Sequence, residues 1–564
     1  MQEENNQALT DLFPPILPSL DDWPIVKISK DRQEIVRAVA ERTSAQILAK
    51  NPGEKSIQDV LAKAVYLEKA RISSKPWSID PKDDKAFWDG IKKELVRLEA
   101  FADNDITEEA AVLERIVERY AREIAGHFDK NTYRFANRFV PFAFNRLLNS
   151  TRSREFIRLF RNKRNLLKRI HLVGETEQIR SLARKGTVIA VPTHISNIDS
   201  ITIGWAISAI GLPAFLYGAG LNLFSVRFLA YFMKRLGAYK VDRRKKNSIY
   251  LETLKTYSTE VIERGGHSLF FPGGTRSRSG ELESNLKLGL LGTALEAQRQ
   301  HIIQADNNEF RRIYVVPVTL NYSFVIEAPQ LIDEHLRQVG KERYFIQADR
   351  YSSSYKLLKF IYRFFSSSAD FTIAFGQAMD IFGNKVDEDG NSIDEFGNKI
   401  DIRDYFRSNG VLVEDVQRDN EYSRMLSEKI VQAYRVNNVA MPAHIVSFAA
   451  FHIFQQMHTT SDLYSVLRMP AEFRRIPYQK LLQSVKNLQD ELVRMSEKGK
   501  IRIGALVEAE PEELLQYGLK SLGVYHAKKP LRKEKKTGDI VCQDMKTLLF
   551  YHNRLTGYGL EKHV

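Results

Sequence analysis

The sequence predicts an α/β fold: a mostly parallel sheet flanked by helices, with α-helical N-terminal and C-terminal domains. Three features point there. From about residue 187 to 376, short apolar runs alternate with stretches of helical periodicity, the pattern of strands joined by crossover helices. The first run, Thr187 to Val191 (TVIAV), is β-branched and apolar at successive positions, so both of its faces must be covered, as inside a parallel sheet. Outside that span, amphipathic helical patterns replace the strands.

At 564 residues the chain is long enough for roughly three or four packing units. Its 43% hydrophobic and 27% charged residues describe a soluble globular protein with a sizeable core. The formal charge of +14 points to an anionic partner: membrane lipid, nucleic acid or a phosphorylated substrate. Cys542 is the single cysteine, which excludes an intrachain disulfide and a cysteine-rich metal site and fits a reducing compartment. In a basic tail it reads as incidental. The opening MQEENNQALTDLF has no basic region followed by an apolar one, so no signal peptide is expected. No run of about 18 apolar residues occurs, so no transmembrane helix is expected, and a membrane-active protein of this kind would lie on the surface.

Residues 1–130 read as an N-terminal α-helical region, opening with an extended lead-in to about residue 35 that carries Pro14, Pro15, Pro18 and Pro24. Within it, Asp105 and Glu108 have the spacing of a capping box, and Leu113, Ile116, Val117, Tyr120 and Ile124 fall on one helical face. Residues 131–170 form a basic, aromatic, amphipathic segment. Arg134, Arg138, Arg146, Arg152, Arg154, Arg158, Arg161, Lys163, Arg164, Lys168 and Arg169 face only Glu155 as an acid, and Phe135, Phe139, Phe142, Phe144, Phe156 and Phe160 are interleaved with them. Rings entering the acyl boundary while each cation gains about 1 kcal/mol from anionic lipid would make this an interfacial helix. The alternative is a solvated basic face packed on the next domain by its aromatics. No recognisable nucleic-acid-binding pattern accompanies the charge, so no nucleic-acid partner is expected.

Residues 171–415 read as the α/β domain. Candidate strands are TVIAV at 187, PAFLYG at 213, AYKVD at 238, HSLFF at 267, IYVVPVTL at 313 and DFTIAFG at 370; helices are expected near 199–210, 222–236, 247–263 and 286–300. The stretch Asn222 to Leu236 is apolar nearly all round, a buried helix or one skimming a bilayer. Residues 380–401 carry Gly383-Asn384, Gly390-Asn391 and Gly397-Asn398, seven apart, each followed three positions later by Asp387, Asp394 and Asp401. They read as successive turns on a surface insertion, since the carboxylates lack the spacing of a calcium loop. Residues 416–564 read as a C-terminal α-helical domain. There HIVSFAAFHIF is a buried helix, His444, His452 and His458 are core or surface residues, HAKKPLRKEKKTGD is a charged loop, and LLFYHNR belongs to a last helix.

Chemistry gathers on VPTHISNID, Val191 to Asp199. His194 emerges where the strand ends, Ser196 or Asn197 can cap the next helix, and Asp199 lies in its first turn within reach of the imidazole. A carboxylate that fixes one ring nitrogen as a donor leaves the other free to take a proton from a hydroxyl, the requirement of a general base. Directly after a strand, Phe271 to Gly280 (FPGGTRSRSG) offers small residues that let backbone amides approach an anion, with Arg276 and Arg278 as fork-shaped donors for phosphate. Arg243, at the end of GAYKVDR, follows another strand and can wall the same anion site; Pro317 ends a third apolar strand.

In this order and spacing the four stretches resemble the motifs of the glycerolipid acyltransferase family, which includes glycerol-3-phosphate and lysophosphatidic acid acyltransferases: H-x4-D, G-x-x-(aromatic or basic)-(I/V)-x-R, F-P-E-G-(T/G)-R-S and V-P-(V/I). His194 and Asp199 fall on the first, Gly237 and Arg243 on the second, Phe271, Pro272, Gly274, Thr275, Arg276 and Ser277 on the third, and Pro317 on the fourth. The resemblance covers about residues 185–330. Its finer match is to the glycerol-3-phosphate acyltransferase branch, through Lys287-Leu288-Gly289 after SRSG, the helical extensions on both sides and the final LLFYHNR. Gly273 stands where the family usually has glutamate, which leaves the acceptor open.

The resemblance implies an acyltransferase-like core and a fatty acyl transfer from acyl-CoA or acyl carrier protein to the hydroxyl of glycerol 3-phosphate in phospholipid biosynthesis. His194 would be the base and Asp199 its orienting group; Arg243, Gly274, Thr275, Arg276, Ser277, Arg278 and Lys287 would hold the phosphate, with Gly237, Pro272 and Pro317 in support. The alternatives are a lysophosphatidic acid acyltransferase and an inactive lipid-binding or scaffold homologue. No metal and no cofactor are implied, and neither a G-x-S-x-G elbow nor a plausible cysteine nucleophile suggests an acyl-enzyme. The expected place of work is the cytoplasmic face of a membrane, bound peripherally to anionic phospholipid.

Overall fold

The structure is a computed structural model that describes residues 13–74, 76–100, 106–136, 170–225, 227–305, 309–339, 371–457, 462–523 and 526–564. Most of the basic aromatic segment, residues 137–169, lies outside the described residues, as do Asp105 and His458.

Proline placement decides how the chain begins. The expected extended lead-in stops at Trp23, because Pro24, with its fixed φ, opens helix α1 (Pro24–Lys30), followed by α2 (Arg32–Lys50). Helices α3 (Glu54–Ser74), α4 (Asp84–Ala100) and α5 (Ile106–Ile124) complete an N-terminal layer. On α5 the five residues expected on one face, Leu113, Ile116, Val117, Tyr120 and Ile124, are all buried. Their core continues onto the α/β region through Tyr239, Tyr250, Tyr257 and Val261.

The apolar runs become a seven-stranded sheet: β1 (Ile170–Gly174), β2 (Thr187–Pro192), β3 (Leu216–Gly220), β4 (Ala238–Val241), β5 (Ser268–Leu269), β6 (Ile313–Tyr322) and β7 (Phe371–Phe375). Its order is β1-β7-β6-β2-β5-β3-β4. Strands β2 to β6 run parallel, while β7 is antiparallel to β6 and parallel to β1. Every residue of β2 and β6 is buried, as continuous apolar runs require. Helices α6 (Thr176–Lys185), α7 (Asp199–Ala209), α8 (Arg227–Met233), α9 (Ser248–Glu263), α10 (Leu288–Ile303) and α11 (Ala328–Val339) flank the sheet. The single helix expected over 222–236 is instead a 3-10 turn, Leu221–Ser225, and the short α8, whose Ala230 and Met233 pack on Phe224 while Tyr231 stays half exposed.

Pro317 does not end its strand. β6 continues to Tyr322, with Val191 opposite Pro317 on the β2 side. On the β7 side the ladder stops at Val318 and resumes as a bridge between Val315 and Met379, and between them Gly376 N donates to Pro317 O at 2.8 Å. A bulge therefore falls where proline has no donor to offer.

The repeat is a stack of turns closed by the aspartate four residues before each asparagine, a pairing the sequence spacing did not single out. Asp380, Asp387 and Asp394 accept from the backbone amides of Asn384, Asn391 and Asn398 at 2.9, 2.7 and 2.8 Å. The asparagine side chains return bonds of 2.9, 3.1 and 3.0 Å. Gly383, Gly390 and Gly397 supply φ of 89°, 86° and 86°, the left-handed region these turns need. The first turn is part of the core, with Asp380 and Ile381 buried, whereas Phe396 in the third is 90% exposed.

Beyond it, α12 (Val416–Asn437) leads to α13 (Pro442–Met457), buried almost all round and enclosed by helices α14 (Leu463–Leu467), α15 (Tyr478–Glu497), α16 (Pro511–Ser521) and α17 (Met545–His552). His444 sits in this core with Nε2 3.2 Å from Tyr322 O, and Nε2 of His452 is 3.1 Å from Nε2 of His552. The expected charged loop is a hairpin, Leu531–Lys533 with Ile540–Cys542, joined by Arg475–Ile476 into a three-stranded antiparallel sheet. Its few inward apolar residues were hidden among lysines. Cys542 is buried there, which pushes its thiol up to about 12 and leaves it unreactive.

Among the described residues no helix is long and apolar enough to cross a membrane, and no group of three or more His, Cys, Asp or Glu side chains is placed to hold a metal ion.

Candidate active site

Because β2 to β6 run in one direction, the loops that follow β2, β4 and β5 leave the sheet at a common edge, where parallel α/β sheets form their clefts. His194 follows β2, Arg243 follows β4, and Phe271–Gly280 follows β5.

His194 is held from four directions. Its Nδ1 donates to Oδ2 of Asp199 at 2.8 Å, its backbone N donates to Oε1 of Glu283 at 2.8 Å, its carbonyl accepts from Ser277 N at 2.7 Å, and its ring stacks on Phe271 with centroids 4.3 Å apart. The side chain remains 18% exposed, so the ring reaches the surface of the cleft. Asp199 is wholly buried; its Oδ2 also accepts from Ile195 N and Ser196 N at 2.6 and 2.8 Å, and Tyr322 donates its hydroxyl to Oδ1 at 2.7 Å. The expected caps behave differently. Neither Ser196 nor Asn197 caps α7; the buried Glu327 accepts from Ser196 Oγ at 3.0 Å and from Asn197 N at 2.9 Å. The segment leading into the helix is bonded by the buried carboxylates of Asp199 and Glu327, and Ser196 turns its hydroxyl to Glu327 rather than to the helix.

The loop after β5 folds on its glycines. Gly274 has φ of 74°, and a methyl group on it would lie 2.8 Å from Cδ and Cε of Lys287, whose backbone N donates to Pro272 O at 2.8 Å. Lys287 is thereby laid along the loop, and Thr275 is exposed at its tip. Arg276 lies 3.5 Å from Glu327, and Arg278 pairs with Glu334 at 3.3 Å and donates to Gln338 at 3.0 Å. Arg243 is open to solvent, yet the protein packed around it, together with Arg276 and Arg278, holds its pKa below the usual arginine range. An exposed arginine surrounded by protein occupies a concave place, and here that place is shared with two other cations. Its neighbours are fixed: Arg244 binds Asp80 at 2.5 Å and Asp242 at 2.7 Å, and Lys245 binds Glu123 at 2.5 Å. Gly237, before β4, has φ of 86° and lets α1 approach, since a methyl group there would meet Ile25 Cδ1 at 2.4 Å.

Residues 172–321, which hold His194, Asp199, Arg243 and the loop after β5, match the family model described as Acyltransferase. Three curated proteins named glycerol-3-phosphate acyltransferase are similar to the chain: that of Histophilus somni at 32% identity over 175 residues, that of Pasteurella multocida at 29% over 254, and that of Pseudoalteromonas translucida at 28% over 216. Over residues 172–321 the chain is similar to the Acyltransferase family. The matched stretches take up 30%, 44% and 38% of this chain but only 20%, 27% and 23% of those relatives' own lengths.

Within the acyltransferase domain and its surroundings, four polar residues at the site were missed by sequence reasoning: Tyr322, Glu327, Glu283 and Arg554. Each acts across a long separation that spacing does not encode. Burial raises the pKa of Glu327, opposed by Arg276 and by the bonds from Asn197 and Ser196. Burial raises Glu283 to about 8 against the bond from His194 and the charge of Arg554. Arg554 is buried and pushed down to about 10; its Nη2 donates to Leu320 O at 2.8 Å and to Oδ1 of Asn321 at 2.9 Å. The LLFYHNR ending braces the same region: Asn553 donates to Ser279 O at 2.9 Å, and Tyr551 hydroxyl accepts from Val325 N at 3.0 Å.

Proposed function

We propose that the protein esterifies glycerol 3-phosphate with a fatty acyl group taken from an acyl thioester, either acyl-CoA or acyl carrier protein. The observation that carries this reading is the convergence of an Asp199-bound His194 with Arg243, Arg276 and Arg278 at one edge of the sheet. With Nδ1 committed to Asp199, Nε2 of His194 takes the proton of the acceptor hydroxyl as its oxygen attacks the thioester carbonyl. The tetrahedral intermediate collapses with loss of the thiolate, which recovers that proton from the imidazolium and leaves as free thiol. A positioned base supplies about 10²- to 10⁴-fold; orientation of the phosphate by the arginines supplies more, since charge-assisted forked bonds fix both distance and angle. The names of the similar proteins favour glycerol 3-phosphate over its 1-acyl form as acceptor.

The reading includes attachment to the cytoplasmic face of a membrane from its surface, supported by the net charge of +14 and by the basic aromatic composition of residues 131–170. Purified protein given each acceptor with acyl-CoA or acyl carrier protein tests it: 1-acylglycerol 3-phosphate as product supports it, while turnover of the 1-acyl acceptor alone overturns the acceptor assignment. Absence of turnover with both would favour an inactive lipid-binding homologue. Flotation with vesicles containing anionic phospholipid, reduced by high salt, is the expected membrane result; failure to float at low salt overturns that part.

A further inference from the structure

Resting on that functional reading, we propose that Glu283 is a positioning residue that supplies, from ten positions further along the chain, the carboxyl group that Gly273 does not carry. The space beside Gly273 is already taken. A methyl group there would come within 2.8 Å of Oε1, 2.9 Å of Cδ and 3.1 Å of Cγ of Glu283, so the end of the Glu283 side chain occupies the ground a side chain at 273 would enter first. Gly273 itself is not among the glycines with positive φ, so its backbone accepts an L side chain, and the atoms nearest to such a side chain's Cβ all belong to Glu283. From this position Glu283 ties two loops together. Its Oε1 accepts from His194 N at 2.8 Å, while Ser277 N grips the carbonyl of the same residue at 2.7 Å. The peptide on both sides of the histidine side chain is thus held by the segment that carries the arginines. Without the carboxyl group the His194 amide would lose its acceptor, and the ring would be left to Asp199 and Phe271 alone. The other oxygen, Oε2, is buried with no hydrogen-bond partner among the described residues, and the charge of Arg554 acts on the group from the β6 side. Burial beside Asp199 favours the protonated carboxyl, in which Oε1 still accepts. Accepting a bond, rather than bearing a charge, is therefore the role.

The test is a relocation of the carboxyl group. Glu283→Ala should lower kcat by about 10²-fold, the scale of a misplaced catalytic group, with KM for acceptor and donor changed by less than about threefold. Glu283→Gln, which keeps the acceptor oxygen, should retain most of the activity at neutral pH. Gly273→Glu alone should be impaired by collision with Glu283, and Gly273→Glu in the Glu283→Ala background should recover at least a tenth of the wild-type kcat. Glu283→Ala with undiminished kcat, or a double variant no better than Glu283→Ala, overturns the proposal. Circular dichroism and melting of each variant separate loss of position from loss of fold. The NMR resonance of the His194 backbone amide reads the same question without turnover: Glu283→Ala, which removes its acceptor, should move the resonance and the double variant should return it, and an unmoved resonance overturns the proposal. Should the wild-type protein acylate neither acceptor, the functional reading fails by itself and the His194 amide resonance still decides the placement of Glu283.

Discussion

Two turn-rich stretches of this protein are both fastened by carboxylates that accept backbone amides, and they differ in reach. In the repeat, Asp380, Asp387 and Asp394 each bond an amide four positions on, and the asparagine there closes the ring. At the candidate site, Glu283 reaches across 89 residues to His194 and Glu327 across 130 to Asn197. An aspartate spent on its own turn chiefly stiffens that turn. A carboxylate brought from a distant element fixes a loop while the loop's own side chains, here His194, stay aimed at the cleft.

The sharpest way to break this contrast is chemical. His194→Ala should lower kcat by about 10²- to 10⁴-fold with a melting temperature close to wild type, and an active variant would make the site as purely structural as the repeat. Next in size, Arg243→Ala should raise KM for the phosphate-bearing acceptor by about tenfold or more, the loss of a charge-assisted bond, and leave KM for the acyl donor nearly unchanged. Steady-state kinetics with each substrate varied in turn reads the split. A pH series sharpens the difference further. Because Glu283 is raised from 4.5 to about 8, the folded protein holds a proton that the unfolded chain releases. The wild type should therefore lose stability as pH climbs from about 4.5 to about 8 and lose no more above it, whereas Glu283→Gln cannot ionise and is spared. Melting temperatures of the pair should diverge across that window, and parallel curves would show an ordinary carboxylate. Smallest of all, Asp387→Ala in the repeat should cost about 1 kcal/mol of stability by denaturant titration, with kcat within about twofold of wild type.

The same difference in reach explains what could be read from the sequence. Local patterns were legible: the apolar runs gave β2 to β7, the face of α5 was named residue by residue, and His194 with Asp199 declared themselves by being five apart. β1 was not seen because IHLVG follows a long basic stretch and offers little alternation, and the 531–542 hairpin was masked by its lysines. The candidate strand from 313 ran through Pro317 to within two residues of the end of β6, but the reading of Pro317 as a strand end failed, because proline usually stops a central strand and here the bulge opposite it removes the demand for a donor. Glu283, Glu327, Tyr322 and Arg554 could not be found from spacing at all, since their partners are fixed by the fold.

The brace from the C-terminal segment gives the site a timetable. Asn553 bonds the carbonyl of Ser279 from 274 residues downstream, and Arg554 bonds Leu320 from 234. At about 5–20 residues per second a ribosome needs tens of seconds to deliver those groups after the arginine loop has emerged. The strands of the sheet are thus made well before the groups that brace its edge, and residues 551–554 can dock there only once the chain has been extended that far.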